Sequence, residues 1–305
     1  MNETPVDSGD RGGVALDRHA IAAIEAERPL LIGAAFRMLG TLADAEDAVQ
    51  EAFSRWAALG PQERADLRVP GAWLMRVTGR ICLDMLGSAR ARREAYVGEW
   101  LPEPVPQERA VVDPADHAER ADSVSTALLL VLETLTPAER VAFVLHDVFA
   151  LSFADIAEVV GRSPAACRQL AASARRHVGA RPGAAVPRER HRALVAAFAE
   201  AAGTGQLAAL IGVLDPDVVL RSDGGGVVSA ARRPVRGADA VARFLQGLAR
   251  KNPDAEYEPV VAGDGEGFLI RVGGAVAAVV SLATDGERIT DVWIMRNPAK
   301  LGAWR

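Results

Sequence analysis

LSFADIAEVVGRSPAACRQLAASARRHV, residues 151–178, is the stretch on which the fold turns. Ser152 stands three residues before Asp155, a capping-box-like start in which side-chain oxygens satisfy otherwise orphaned helix N–H groups. The short apolar-periodic helix behind it stops at Gly161. Ser163 then caps a second helix with Pro164 in its first turn, where a missing N–H does no harm. Two helices joined by a turn with glycine at the bend read as a helix-turn-helix. Ile156, Ala157, Val160, Cys167 and Leu170 would pack the two together, leaving Arg162, Ala165, Arg168, Gln169, Arg175 and Arg176 on the outer side. Arginine pairs with guanine edges and glutamine with adenine edges in the major groove, and arginines further along a helix hold phosphates. A plain helical hairpin with a solvated arginine face is the competing reading, so the flanking sequence has to decide.

A chain of 305 residues with 50% hydrophobic content is long enough for two or three domains with buried cores. Its two cysteines, Cys82 and Cys167, each fall in an apolar-periodic helix and read as small buried thiols, not as a disulfide or a metal pair. No basic-then-apolar leader opens the sequence, and the apolar runs at 127–132 and 275–282 are too short to span a bilayer. A cytoplasmic protein without membrane contact is expected. The net charge of −5 is unusual for an autonomous DNA binder, since neutralisation of phosphates by Lys and Arg supplies most non-specific affinity. DNA binding is therefore local, or it needs a partner.

Residues 1–15, rich in Gly, Asp and Ser, read as a mobile tail. An apolar helix over 29–39 ends at Gly40, and Thr41 with Asp44 opens the next. There Val49, Ala52, Phe53 and Trp56 form the core stripe, while Asp44, Asp47 and Glu51 share another face. That acidic face is either solvated surface or a docking site for a basic partner. After Pro70 a third long helix turns Leu74, Val77, Ile81 and Met85 inward and Arg76, Arg80 and Asp84 along another face, and it ends in Arg90, Arg92 and Arg93. Basic residues suit a helix C-terminus on local grounds alone, but two basic helices could also hold two places on one DNA. Residues 98–122 read as a linker between mobile units, because Pro102, Pro104, Pro106 and Pro114 rule out a continuous helix. Val124, Leu128, Val131 and Leu135 then line a helix. Thr136, Pro137 and Glu139 open the next, lined by Val141, Val144, Leu145 and Val148, so the helix-turn-helix completes a four-helix unit.

RMLGTLADAEDAVQEAFSRW (37–56), AWLMRVTGRICLDML (72–86) and the block from Leu135 through the helix-turn-helix occur in order, and together they resemble the bacterial extracytoplasmic-function (ECF) sigma factors, a compact branch of the sigma-70 family. The resemblance covers residues 28–178. It implies that a first helical domain, residues 16–97, binds core RNA polymerase and the minus-ten promoter element, and that a second, residues 123–178, binds the minus-thirty-five element. By position it places Asp44, Glu46, Asp47, Gln50 and Glu51 in the polymerase-docking helix. It places Arg76, Arg80, Arg90, Arg92 and Arg93 at the minus-ten strand, and Arg168 and Gln169 on the recognition helix.

After a hinge at 179–187 the chain continues with a helix over 191–205, a helical segment at 206–214, alternating strand-like sequence over 217–237 and an amphipathic helix over 238–250. Turn signals at 263–267, 273–274 and 285–286 then mark an antiparallel meander. Helices followed by a curved sheet make this part α+β, and residues 188–305 resemble the SnoaL-like cone-shaped domains. The expected architecture is thus two all-α sigma domains followed by an α+β domain. Three short sequences sharpen the resemblance: Trp100-Leu101-Pro102-Glu103-Pro104, Asp223-Gly224-Gly225-Gly226 and Asn297-Pro298-Ala299-Lys300-Leu301. They are similar to those of the sigma subgroup that carries its own SnoaL-like extension in place of a separate anti-sigma protein, which implies an interdomain regulatory role for them. Val227 stands where a Lys commonly follows the glycines, and Ala299 where an Asp is usual. Two other classes compete. An isomerase-type enzyme would use Asp215, Asp217 or Asp223, or less well His191, as a general base in an apolar pocket. A regulator that binds an operator without polymerase is the other. No Ser/His/Asp series, metal-ligand spacing or phosphate-cradling loop is evident, so no catalysis, metal or cofactor is expected. The expected partners are core RNA polymerase and promoter DNA, with room for a small ligand in the C-terminal pocket.

Overall fold

The computed structural model describes residues 18–94, 96, 98–107, 125–179, 186–263 and 265–305. The expected tail at 1–15, most of the linker beyond Gln107, the centre of the hinge and the side chains of Arg90, Arg92 and Arg93 lie outside the described residues. The first four helices are α1 (Arg18–Leu39), α2 (Leu42–Ala58), α3 (Pro61–Asp66) and α4 (Pro70–Glu94). Helix α1 begins well before Pro29, which lies inside it. The Ala- and Glu-rich sequence ahead of the proline is strongly helix-forming, and the buried stripe of Ile24, Leu31, Ala35 and Met38 carries the helix through the missing hydrogen bond. Helix α2 starts as its sequence indicates, with the Thr41 hydroxyl accepting from the Asp44 backbone N–H.

Four more helices follow: α5 (Thr126–Thr134), α6 (Pro137–Phe143), α7 (Phe153–Val160) and α8 (Pro164–Gly179), with a π-helical turn at Val144–Val148 between α6 and α7. Thr136 and Glu139 form a reciprocal capping box, Ser152 caps α7, and α7 ends on Gly161 in the left-handed region. Cys82 and Cys167 are free and buried. A single apolar cluster runs from Leu31, Met38, Val49 and Leu74 through to Val141, Leu145, Ile156 and Cys167. The helices on the two sides of the proline-rich segment thus share one core, whereas the linker composition suggests separate, mobile units.

The C-terminal part comprises α9 (Arg188–Thr204), α10 (Leu207–Val213), β1 (Leu214–Asp223), β2 (Val235–Arg236), α11 (Ala238–Lys251), β3 (Glu256–Ala262), β4 (Gly265–Val272), β5 (Ala275–Thr284) and β6 (Ile289–Met295). The sheet order is β2-β1-β6-β5-β4-β3. Strands β3 to β6 form the antiparallel meander expected from the turn signals, although Gly267 falls inside β4. Most of the sequence between Asp223 and Val235 is loop, and β1 pairs in parallel with β6, with Asp223 opposite Met295. Alternation of apolar and polar residues shows which side chains face a core, not which strand lies alongside. The two sheet faces make two cores. Phe268, Ala278, Val280, Val292 and Ile294 pack under Phe198, Val241 and Leu245. Leu269, Val279, Trp293 and Met295, on the opposite face, pack against Leu101, Leu301 and the α5 residues Ala127 and Leu130. Among the described residues no helix is long and apolar enough to cross a membrane.

Candidate interdomain latch and DNA-reading surface

Because β1 and β6 run parallel, their C-terminal ends lie side by side, and this brings Asp223 next to the segment that begins at Asn297. Asp223 is fully buried. Its Oδ1 accepts from the Tyr96 hydroxyl (2.5 Å) and the Gly225 N–H (2.9 Å); its Oδ2 accepts from the Leu101 N–H (3.0 Å) and Lys300 Nζ (2.8 Å). Lys300 Nζ also donates to the Leu101 carbonyl (2.6 Å) and lies 4.0 Å from the Trp100 ring centroid and 5.5 Å from that of Tyr96. Burying two charges costs several kcal/mol per ion, which attraction offsets only where the remaining hydrogen-bonding capacity is filled; around Asp223 it is filled. Burial, and then Asp223 itself, push the Tyr96 hydroxyl well up, so it stays a proton donor. Asn297 donates to the Tyr96 oxygen (3.0 Å) and accepts from the Ala299 N–H (3.1 Å). Gly225 has φ +67, and a Cβ there would lie 2.5 Å from the Asn297 side chain, so only glycine fits.

The strap formed by residues 98–107 also grips the helical part. Gly40, at the turn between α1 and α2, has φ +81, and an added Cβ would sit 2.6 Å from the Trp100 ring. The Glu103 N–H donates to the Gly40 carbonyl (2.9 Å), and its carboxylate accepts from the Leu42 N–H (2.9 Å) at the start of α2. Burial raises the Glu103 pKa while the Leu42 N–H pulls it back. Pro102 and Pro104 keep this segment out of a helix, the Pro104 carbonyl accepts from Trp304 Nε1 (2.8 Å), and Pro106 bridges to Ala262. The strap thus touches the α1–α2 turn, α5's apolar cluster and the outer sheet face at once.

The three short sequences singled out above therefore meet in one place. Trp100, Leu101, Glu103, Asp223, Gly225, Asn297 and Lys300 make the contacts just given; Leu301 is buried in the outer-face core, with Gly224, Gly226 and Pro298 beside them in the chain. Val227, at 78% exposure, and Ala299 leave their side chains exposed, and the latch uses only the Ala299 backbone N–H from these two positions. Tyr96 and Trp304 were not marked by the sequence. Neither belongs to a motif, and a lone aromatic carries no signal of a partner more than a hundred residues away.

On α8 and the turn before it, Arg162, Arg168, Gln169, Arg175 and Arg176 are all exposed. The Arg168 guanidinium lies 5.9 Å from the Phe153 ring centroid, and Arg175 pairs with Asp147 at 2.5 Å. Arg76 and Arg80 instead face α7. Arg76 pairs with Asp155 (2.9 Å) and Glu158 (3.5 Å), and Arg80 donates to the Val159 carbonyl (3.1 Å). The Ser152 hydroxyl, and then Arg76, hold the Asp155 carboxyl below its usual range. With a depressed folded-state pKa, this contact is fully present above the ordinary carboxylate range and is lost only as pH falls through the lowered value. On α2, Glu46, Asp47, Gln50 and Glu51 are exposed, Glu51 pairing with Arg55, while Asp44 accepts from the Thr41 hydroxyl (2.6 Å). Asp215 accepts from the Asp217 N–H (2.8 Å) at the irregular start of β1, and Asp223 is committed to the latch.

Two helical units with a helix-turn-helix lead into a sheet domain, the organisation expected of a sigma-70-type initiation subunit with an appended domain. The model for sigma-70 region 2 matches residues 23–92, that for sigma-70 region 4 residues 125–178, and that for the SnoaL-like domain residues 195–300. The ECF RNA polymerase sigma factor SigJ of Mycobacterium tuberculosis is 43% identical over 233 residues, 76% of this chain and 73% of that protein. The probable ECF RNA polymerase sigma factor SigI of the same organism is 38% identical over 289 residues, covering 93% and 95%. The crystal structure of M. tuberculosis SigJ matches with a TM-score of 0.70 and 35% identity, over 93% of this chain and 98% of that one. The chain belongs to the ECF RNA polymerase sigma factors.

Proposed function

We propose that this sigma factor works as three units, residues 16–97, 123–178 and 188–305, the third regulating the first two from within the same chain. As a sigma factor it directs transcription initiation, with core RNA polymerase and promoter DNA as its partners, and its place is the cytoplasm where both are found. The acidic face of α2, with Asp44, Glu46, Asp47, Gln50 and Glu51, is the polymerase-docking surface, and the arginines of α4 and α8 hold the two promoter elements. The observation that carries the regulatory reading is the buried Asp223–Lys300 pair, which ties the sheet domain to a strap that also grips the α1–α2 turn. In the arrangement so held, Arg76 is engaged by Asp155 and Glu158 of α7 and Arg80 donates to the Val159 carbonyl, although half of the Arg80 side chain stays exposed. A closed form of this kind lowers apparent affinity for polymerase and promoter in proportion to the fraction of molecules that open.

The test compares run-off transcription from one fixed promoter by the full chain, a chain ending after Val178 and Trp100→Ala. Both changes should alter the yield, and Trp100→Ala should add nothing once the extension is gone. Equal transcription by truncated and full-length protein at equal holoenzyme concentration would reject the regulator. An isomerase role for the extension is disfavoured because Asp223 is spent on four donors and none of Asp215, Asp217 and Asp223 lines the cavity under α9 and α11.

Promoter reading gives a separate expectation. Arg168→Ala and Gln169→Ala should each relax selectivity for the upstream element, at a cost of ~1–3 kcal/mol for a lost bidentate base contact. Arg175→Ala and Arg176→Ala should weaken all promoters alike and flatten the salt dependence. Binding assays on matched and mismatched promoters separate the two patterns; a uniform loss for Arg168→Ala removes it as a base reader.

A further inference from the structure

The cone of the C-terminal domain holds a cavity of about 60 Å³ under α9 and α11, walled by Phe198, Leu245, Ile270, Ala278, Val280 and Ile294 among others. Its two strongly polar wall residues are Asn252 and Arg296. Arg296 is half-buried, and burial alone pulls its pKa down. Its guanidinium donates to the Ser229 carbonyl, and among the described residues it makes no ion pair with a carboxylate. The Arg296 side chain lines this apolar space, and its partly desolvated guanidinium, held by a single neutral acceptor, has unused donors in the planar fork that suits a carboxylate.

We propose that this cavity is a binding site for a small organic acid: a carboxylate seated on Arg296, with a short aliphatic tail among the apolar walls. The size is set by the cavity. At roughly 30 Å³ per water in the liquid, it holds the equivalent of about two waters, a volume matched by a small alkyl group. A few convergent polar groups in an apolar pocket fix the orientation of such a ligand. Arg296 is also where the cavity meets the latch. Its backbone N–H donates to the Asp223 carbonyl at 2.7 Å, its side chain braces the loop after Gly226, and Asn297 follows it directly. A carboxylate that draws the guanidinium away from Ser229 therefore acts one residue from the contact that binds the extension to the strap. This coupling, though not the site itself, rests on the regulatory reading above.

The experiment titrates the full chain with sodium propionate and, as an uncharged match, 1-propanol, by calorimetry. Propionate should bind saturably and the alcohol at least about tenfold more weakly, the scale of one charge-assisted hydrogen bond. Arg296→Gln should bring propionate down to the level of the alcohol. Ala278→Leu, which fills the cavity, should abolish both while the melting temperature stays near that of the parent; Ala202→Leu serves if it does not. Absence of saturable propionate binding, equal binding of the alcohol, or indifference to Arg296→Gln overturns the site. Saturating propionate should also change transcription by the full chain and leave the chain truncated after Val178 unaffected. Binding without that change removes the coupling and leaves the site standing, whereas failure of the truncation test removes the regulator and not the ligand.

Discussion

Lys300→Ala is expected to lower the stability of the C-terminal domain by about 3–5 kcal/mol and to free it from the strap, the range found when one partner of a buried ion pair is removed. The side chains of Lys300 and Asp223 are 7% and 0% exposed, so water cannot replace the lost cation. Asp223 would keep its three other donors but no countercharge, the Leu101 carbonyl would lose its Nζ donor, and two aromatic rings would lose the cation beside them. Urea unfolding followed by tryptophan fluorescence reads the change, since Trp100, Trp293 and Trp304 all lie in or against this junction. The double replacement Asp223→Asn with Lys300→Met should recover much of the loss, because it removes both charges together. A loss below about 1 kcal/mol for Lys300→Ala would show that the apolar contacts of Leu101 and Leu301, not the ion pair, hold the domain.

Arg140→Ala should have an effect of similar size on the helical part. Arg140, on α6, is 3% exposed and donates both to the Met38 carbonyl at the end of α1 (2.8 Å) and to Glu133 on α5 (2.7 Å). Its loss strips the guanidinium from a mostly buried carboxylate and uncovers a helix end between the two halves of the shared core, at ~3–5 kcal/mol. Arg76→Ala should cost far less. Its pair with Asp155 leaves the two side chains 29% and 37% exposed, and such pairs are worth about 0–1 kcal/mol. Thermal unfolding ranks the variants, and small-angle scattering shows whether Arg140→Ala lets the halves separate. If Arg76→Ala proves the more damaging, the α4–α7 contact, not the Arg140 bridge, holds the closed arrangement.

The local elements were legible because their signals are local. Ser152, Thr136, Thr41 and Gly161 act within one helical turn of themselves, so their caps can be read without knowing the fold. The two cores of the extension follow from alternation along each strand. What could not be read is long-range. Proline stops a helix at Pro102 and Pro104, but whether the resulting strap hangs free or lies packed depends on surfaces contributed by α5 and the sheet. The parallel pairing of β1 with β6 leaves no mark on either strand, and it is this pairing that puts Asp223 beside Lys300. Family likeness marked the three short sequences; their partners Tyr96 and Trp304 lie outside any motif. Arg76 and Arg80 fall on one helix face, as their spacing indicates, yet nothing in that spacing shows that α7 contacts it.

The parallel pairing also sets a sequence in time. On the ribosome, both promoter-reading units are complete once Val178 has emerged, but β6 and Lys300 come more than a hundred residues later. At ~5–20 residues per second, the nascent chain spends roughly 6–24 s with both units made and the strap unfastened. During that interval the apolar outer face of Leu101 has no sheet to cover it. A newborn molecule therefore lacks its latch for that interval, and the strap can be fastened only after Lys300 has been made.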